Sequence, residues 1–278
     1  MTRITDTSFR LRDHYTPPTL PQSPRLGLDL TALHKPSLKL ADYIHRELAN
    51  PPAAVSRPHA GFQWGMLAND RLGDCVIAMM LHSIEDFHLD ADTPPPAFTD
   101  QDAISIYSAI TGYNPNNPSS DRGTDETAAM HYWEQPGLTT EGTTHTIVAT
   151  VAVDPSSLNE CRIAIDEFVD LQIGIALPKT AQGQSEWTVV GDPNSDPNSA
   201  AGSWGGHGIP YREYDADTFT CVTWGADLLL TVPFHQSYAQ EAHVVVTQEM
   251  LNNQGVGPSG VAWDELVSDI KQLTQARA

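Results

Sequence analysis

Trp64-Gly-Met-Leu-Ala-Asn69-Asp-Arg-Leu-Gly73-Asp74-Cys75-Val76-Ile-Ala-Met-Met-Leu-His-Ser-Ile-Glu-Asp-Phe87 is the stretch from which the fold is read. Apolar residues at 76, 77, 80, 81, 84 and 87 recur with helical spacing, so a helix is predicted over residues 75–90. Asp74 stands where an N-cap is expected, which puts Cys75 in the first turn. A helix N-terminus lowers a thiol pKa through its dipole and free N–H groups, and only the thiolate is a nucleophile. Gly73 lets the backbone turn sharply and leaves room for a substrate. Asn69, six residues upstream, is a candidate amide donor to an oxyanion, together with the Cys75 N–H. Asp74 works against this chemistry: an anion beside the thiol raises its pKa unless it is engaged as the cap.

Working outward, residues 99–111 and 121–133 read as two more helices, the latter ended by Pro136-Gly137. The pattern then changes. Residues 144–153 are β-rich, 156–169 read as a helix, and strands are expected at 171–177, 208–214, 218–224, 228–234 and 242–247. A helical half (61–140) followed by a β-rich half (141–250) predicts an α+β protein of two packed subdomains with a cleft between them. Residues 1–60 are rich in proline and form an expected N-terminal arm, with one short helix near Leu38–Leu48. Such an arm is draped over the domain, docked on a partner, or disordered. Residues 251–278 form a C-terminal tail, helical over Trp263–Thr274.

The chain has 278 residues and a formal net charge of −20, from 15 basic and 35 acidic side chains. Phosphate backbones and anionic membrane surfaces need clustered Lys and Arg, so nucleic-acid and membrane partners are excluded. Three cysteines, Cys75, Cys161 and Cys221, fit a reducing compartment better than a disulfide framework. No apolar h-region opens the chain and no apolar run reaches the ~20 residues of a membrane span. A cytoplasmic location is expected, with incorporation into a virion as the alternative.

A distant histidine completes the pattern. Gly205-Gly206-His207-Gly208 opens a strand, and Val222-Thr223-Trp224-Gly225 follows it. A lone cysteine is more commonly a small buried hydrophobe, and a histidine after Gly-Gly is often a turn or core residue. Taken together, however, these residues resemble the papain-like cysteine peptidases. Asn69-x5-Cys75 is similar to the family's oxyanion glutamine and nucleophile at the start of the long central helix. Gly206-His207 is similar to its glycine-histidine segment on a barrel strand, and His207 follows Cys75 by 132 residues. Val222-Thr223-Trp224-Gly225 is similar to its Asn-Ser-Trp-Gly segment. The likeness runs over residues 60–250 in the family's order, in the style of a divergent branch of bacteria and their phages.

The resemblance implies a papain-like fold, with a helical subdomain holding the central helix packed on an antiparallel β-barrel-like subdomain. It implies Cys75 as nucleophile, His207 as base, Asn69 as oxyanion donor, and Trp224 as a shield over the histidine. Gly73, Asp74 and Gly206 would shape the site. The family's orienting asparagine falls on Val222, which carries no polar group, so Thr223 and Asp215 are the candidate orienters. Trp204 and Trp224 are expected to pack around the site.

Asp192-Pro-Asn-Ser-Asp-Pro-Asn198 spaces oxygen ligands as a calcium loop does, but Pro197 stands where a glycine is needed, and a polar turn is expected. No metal and no cofactor are predicted. Two readings follow: a cysteine hydrolase acting on a peptide or amide substrate, or a catalytically impaired scaffold. The second would bind a partner, a second copy or a virion component through the arm.

Overall fold

The computed structural model describes residues 1–22, 24–31, 38–44, 50–59, 61–252 and 261–277. Its first strands, β1 (Thr2–Ile4) and β2 (Ala54–Ser56), come from the proline-rich region. Three helices follow: α1 (Cys75–Asp90), α2 (Asp100–Thr111) and α3 (Glu126–Glu134). A small hairpin, β3 (Leu138–Thr140) and β4 (Thr143–His145), closes the helical half. The sheet half holds β5 (Ala149–Ala152), α4 (Leu158–Phe168), β6 (Leu171–Leu177), β7 (Gly205–Tyr214), β8 (Thr218–Thr223) and β9 (Ala226–Thr231). It continues through α5 (Val232–Tyr238) and β10 (Ala239–Val246), and the chain ends in α6 (Gln248–Asn252) and α7 (Trp263–Arg277).

α1 is more deeply enclosed than an amphipathic pattern requires. Every residue from Cys75 to Asp86 is buried, including His82, Ser83, Glu85 and Asp86. A helix apolar on one face and buried on all faces must satisfy its polar side chains internally. Asp86 accepts from Arg212 Nε (3.1 Å) and Nη2 (2.9 Å), and Arg212 projects from β7, so a buried ion pair joins the central helix to the sheet.

The main sheet has eight strands, with a path β1-β2-β7-β6-β10-β5 and a branch in which β8 also pairs with β7 and β9 pairs with β8. All its strand pairs are antiparallel. Among the described residues no ladder joins β9 to β5, so the barrel-like subdomain is an open sheet. Two apolar clusters fill the interior. One, around Ile173, Ile209, Tyr211 and Phe234, lies in the sheet half. The other, around Val76, Met80, Tyr107 and Trp133, lies in the helical half.

Several local expectations change. Residues 228–234 are not one strand: β9 ends at Thr231, whose hydroxyl accepts from Phe234 N and caps α5, with Pro233 in its first turn. α3 begins at Glu126 rather than near 121, because Asp125 is its capping residue and accepts from Ala128 N. In place of a helix near Leu38–Leu48 there is a 3₁₀ turn at Leu40–Asp42, and residues 45–48 lie outside the described residues. No helix among the described residues is long and apolar enough to cross a membrane.

Candidate active site

Cys75 is the first residue of α1 and is 1% exposed. Its Sγ accepts a hydrogen bond from Gly208 N at 3.4 Å, which ties the head of the central helix to β7 at the residue after His207. Burial pushes the thiol up to about 12, while the backbone amides of Gly208 and Gly27 pull it down.

Asp74 occupies the N-cap position, yet its side chain caps nothing. It turns inward instead. Its Oδ1 accepts from Asn69 Nδ2 at 3.1 Å, and its Oδ2 is buried without a partner. Burial pushes this carboxyl up to about 8. Below that pH Asp74 is neutral and does not repel a thiolate at Cys75. Asn69 departs from its expected part: its amide faces Asp74 and the Leu72 carbonyl (3.4 Å), so both N–H groups are engaged.

His207 Nε2 lies 2.8 Å from Thr223 Oγ1. The ring stacks on Trp224 (centroids 4.7 Å, 20° between planes), and Trp187 meets it edge-on at 6.4 Å. Trp187 carried no sequence signal; a parallel bridge to Leu230 brings it in. Burial lowers His207 to about 3. Nδ1 is buried without a hydrogen-bond partner, so thiol and imidazole are not bonded to each other in this form. Trp224 has φ +47° and Gly225 φ +73°, the two positive values of a tight hairpin turn between β8 and β9. That turn holds the Trp224 ring against His207. Asp215, the other candidate orienter, is elsewhere: it accepts from Thr218 N, Asp217 N and Leu11 N in the β7–β8 turn.

The chain's own residues 25–30 fill the groove over Cys75. Leu28 N donates to Gly206 O (3.0 Å), Asp29 N to Thr124 O (3.0 Å), and Thr124 N to Gly27 O (2.6 Å). Leu28 thus runs antiparallel to Gly206 and parallel to Thr124, bridging the two halves. The approach is backbone on backbone: a Cβ on Gly27 would stand 1.8 Å from Gly73 O, and one on Gly206 would stand 2.4 Å from Leu28 O. Asp121 braces this strap, accepting from Arg25 Nη1 (2.5 Å), Tyr107 Oη (2.7 Å) and Gly73 N (3.1 Å).

Three other polar groups lie apart from Cys75 and His207. Cys161 Sγ lies 3.8 Å from His235 Nε2, but that nitrogen sits 2.7 Å from Pro155 O and donates there, so it is no base for the thiol. The Asp192 loop uses its own carboxylates: Asp192 accepts from Asn194 N and Ser195 Oγ, and Asp196 from Asn198 N. Glu126, Glu241 and His243 form a buried cluster that no spacing rule reveals, with His243 Nδ1 2.9 Å from Glu126 Oε1. Burial, then the neighbouring Glu126, pushes Glu241 up to about 9.

No protein-family model matches the sequence, and no curated protein matches it. Solved structures do match. Xylellain, a cysteine protease from Xylella fastidiosa, shares 12% identity over 84% of this chain and 99% of its own, with a TM-score of 0.55. Digestive procathepsin L 3 of Tenebrio molitor larval midgut shares 12% over 81% of this chain and 77% of its own, with a TM-score of 0.56. The Carica candamarcensis cysteine protease CMS1MS2, solved in complex with E-64, shares 12% over 70% of this chain and 99% of its own, with a TM-score of 0.50. At such identities the likeness is one of architecture, and it agrees with the α+β layout built on α1 and β7: the chain has a papain-like fold.

Proposed function

We propose that the chain is a cysteine hydrolase of peptide or amide bonds, with Cys75 as nucleophile and His207 as its base. The carrying observation is the setting of His207. Thr223 holds Nε2, Nδ1 is unpartnered, and the next residue's amide touches Cys75 Sγ. An imidazole with Nε2–H donated to a hydroxyl has a bare Nδ1, the form that accepts a proton. The thiol proton passes to Nδ1, and sulfur attacks the acyl carbon. The Cys75 N–H, in the first turn of α1 and without an intrahelical acceptor, takes the oxyanion. Nδ1–H then protonates the leaving amine, and water, deprotonated by the same nitrogen, hydrolyses the thioester.

In the strapped form the thiol and the imidazole are both neutral and both buried. Lifting residues 25–30 admits water, relieves desolvation of both groups, and opens the groove to an extended substrate between Gly206 and Thr124.

The test is intact-mass labelling with a peptidyl epoxide from about pH 5 to about pH 9, with Cys75→Ala and His207→Ala as controls. One adduct on Cys75, formed well below the ~8.5 of a free thiol and lost without His207, is expected. Labelling that only rises toward alkaline pH, with or without His207, would overturn the proposal and point to a binding scaffold.

A further inference from the structure

We infer that Glu126, Glu241 and His243 form a binding site for a divalent transition-metal ion of the zinc class. One donor atom from each lies within 4.8 Å of the other two, and all three residues are buried. Glu126, the first residue of α3, is 1% exposed, and its Oε2 is enclosed with no hydrogen-bond partner. Glu241 and His243 alternate along β10 and so face the same side of the sheet. β10 is an interior strand: His243 pairs with Ala152 on β5 and Gln172 on β6, and Glu241 pairs with Gly174. The donors therefore stand on rigid elements, as a metal site requires.

Charge calls for an occupant. Two carboxyl groups this close in the interior repel, and a positive species must sit between them. Among the described residues no Lys or Arg pairs with either carboxylate and His243 is the basic group beside Glu126, which leaves a proton, held on His243 or shared by the carboxyls, or a metal ion bound by all three. Two carboxylates and an imidazole suit zinc-class ions better than calcium or magnesium, which take mostly oxygen in larger numbers. Ligand bonds of about 2.0–2.2 Å bring donor atoms to spacings comparable with the 2.9 Å between Glu126 Oε1 and His243 Nδ1. Remaining positions on the ion belong to water. One wall of the site is the groove, because Glu241 and Leu28 of the strap converge on Gly174. The donors come from α3 in the helical half and β10 in the sheet half, so the ion would fasten the two halves together. No sequence motif marks the site, since Glu126 and Glu241 are joined only by folding.

Full-length Cys75→Ala protein, stripped with a chelator, lacks the candidate-site thiol as a competing ligand, and its remaining thiols, Cys161 and Cys221, are buried. Calorimetry with Zn²⁺ is expected to give one equivalent bound, and Co²⁺ to give visible bands of a low-coordinate site. Zn²⁺ should raise the melting temperature. Glu241→Gln and His243→Asn in the same background should weaken binding more than about tenfold and abolish the thermal shift. Gln keeps the shape and hydrogen bonding of a protonated Glu, so the first variant tests the charge in a folded protein, as circular dichroism would verify. No stoichiometric Zn²⁺, or equal binding in Glu241→Gln, would overturn the proposal and leave a carboxyl pair sharing only a proton.

Discussion

His207 Nε2 and Thr223 Oγ1 are 2.8 Å apart across two adjacent strands, while Val222, one position earlier, is 1% exposed. Successive side chains on a strand face opposite ways, so when Thr223 reaches the imidazole Val222 cannot. The group that His207 Nε2 meets is a hydroxyl, which both accepts and donates, where the resemblance placed an amide. Thr223→Val keeps the shape and removes the partner. It is expected to slow epoxide labelling of Cys75 by about tenfold to a hundredfold, since a misdirected imidazole is a poor base. Thr223→Ser should retain most of the rate. Second-order labelling rates of the three proteins decide the matter; equal rates would show that Thr223 orients nothing.

Gly27→Ala should unseat the strap, and with it the backbone contact of Gly27 to Cys75. The new methyl would stand 1.8 Å from the Gly73 carbonyl oxygen, and backbone cannot yield as a flexible side chain does. Cys75 is expected to label about tenfold faster or more in this variant. An unchanged rate would mean that residues 25–30 do not limit access.

Asp74→Asn tests the buried acid. The folded state holds this proton up to about pH 8, whereas the unfolded chain releases it near its ordinary value of 3.8. Between those limits the unfolded state binds fewer protons, so stability contributed by the protonated carboxyl is full below the lower limit and lost as pH rises, by about 1.4 kcal/mol per unit. Asparagine keeps an acceptor for Asn69 and has nothing to ionise. The variant's stability should therefore gain on wild type steadily from about pH 5 to about pH 8 and level off above. Urea unfolding across that range gives the answer, and parallel curves would refute it.

Arg212→Met leaves Asp86 charged and enclosed beneath α1, where Arg212 Nη2 now stands 2.9 Å away. Breaking a buried pair from one side costs about 3–5 kcal/mol. Denaturant midpoints should fall accordingly. Asp86→Asn with Arg212→Met should recover part of the loss, because the uncompensated charge is then gone. A loss under about 1 kcal/mol would mean that water reaches Asp86.

What was legible in the sequence follows from the range of the forces involved. The 3.6-residue recurrence from Val76 to Phe87 is local and set α1, and alternation set β6 at Leu171–Leu177 as expected. Cys75 stands at a helix start that the apolar run announces, but it is the resemblance of the Gly206-His207 and Thr223-Trp224-Gly225 segments to the papain-like family that singles out Cys75, His207 and Trp224 as a site. Thr231 and Pro233 also announce a helix start, but the apolar run Leu228–Leu230 masks it. The inward turn of Asp74 and Asn69 depends on what encloses them, and side-chain partners within a first turn leave no periodic mark. Residues 25–30 have neither period, since their fit to Gly73 and Thr124 is between backbones.

The strap is held on both sides. Before it, β1 is zipped to β2 and the Leu11 amide is held by Asp215; beyond it, Tyr43 Oη binds Asp269 and Lys39 bridges to Ala152. Cutting the chain between residues 25 and 30 would therefore free no peptide. Both stubs would stay moored beside the groove at a local concentration of about millimolar, as short tethers impose. A substrate in solution would still compete with them, so turnover would be limited by how often the tethered ends leave, and dilution would not relieve that competition.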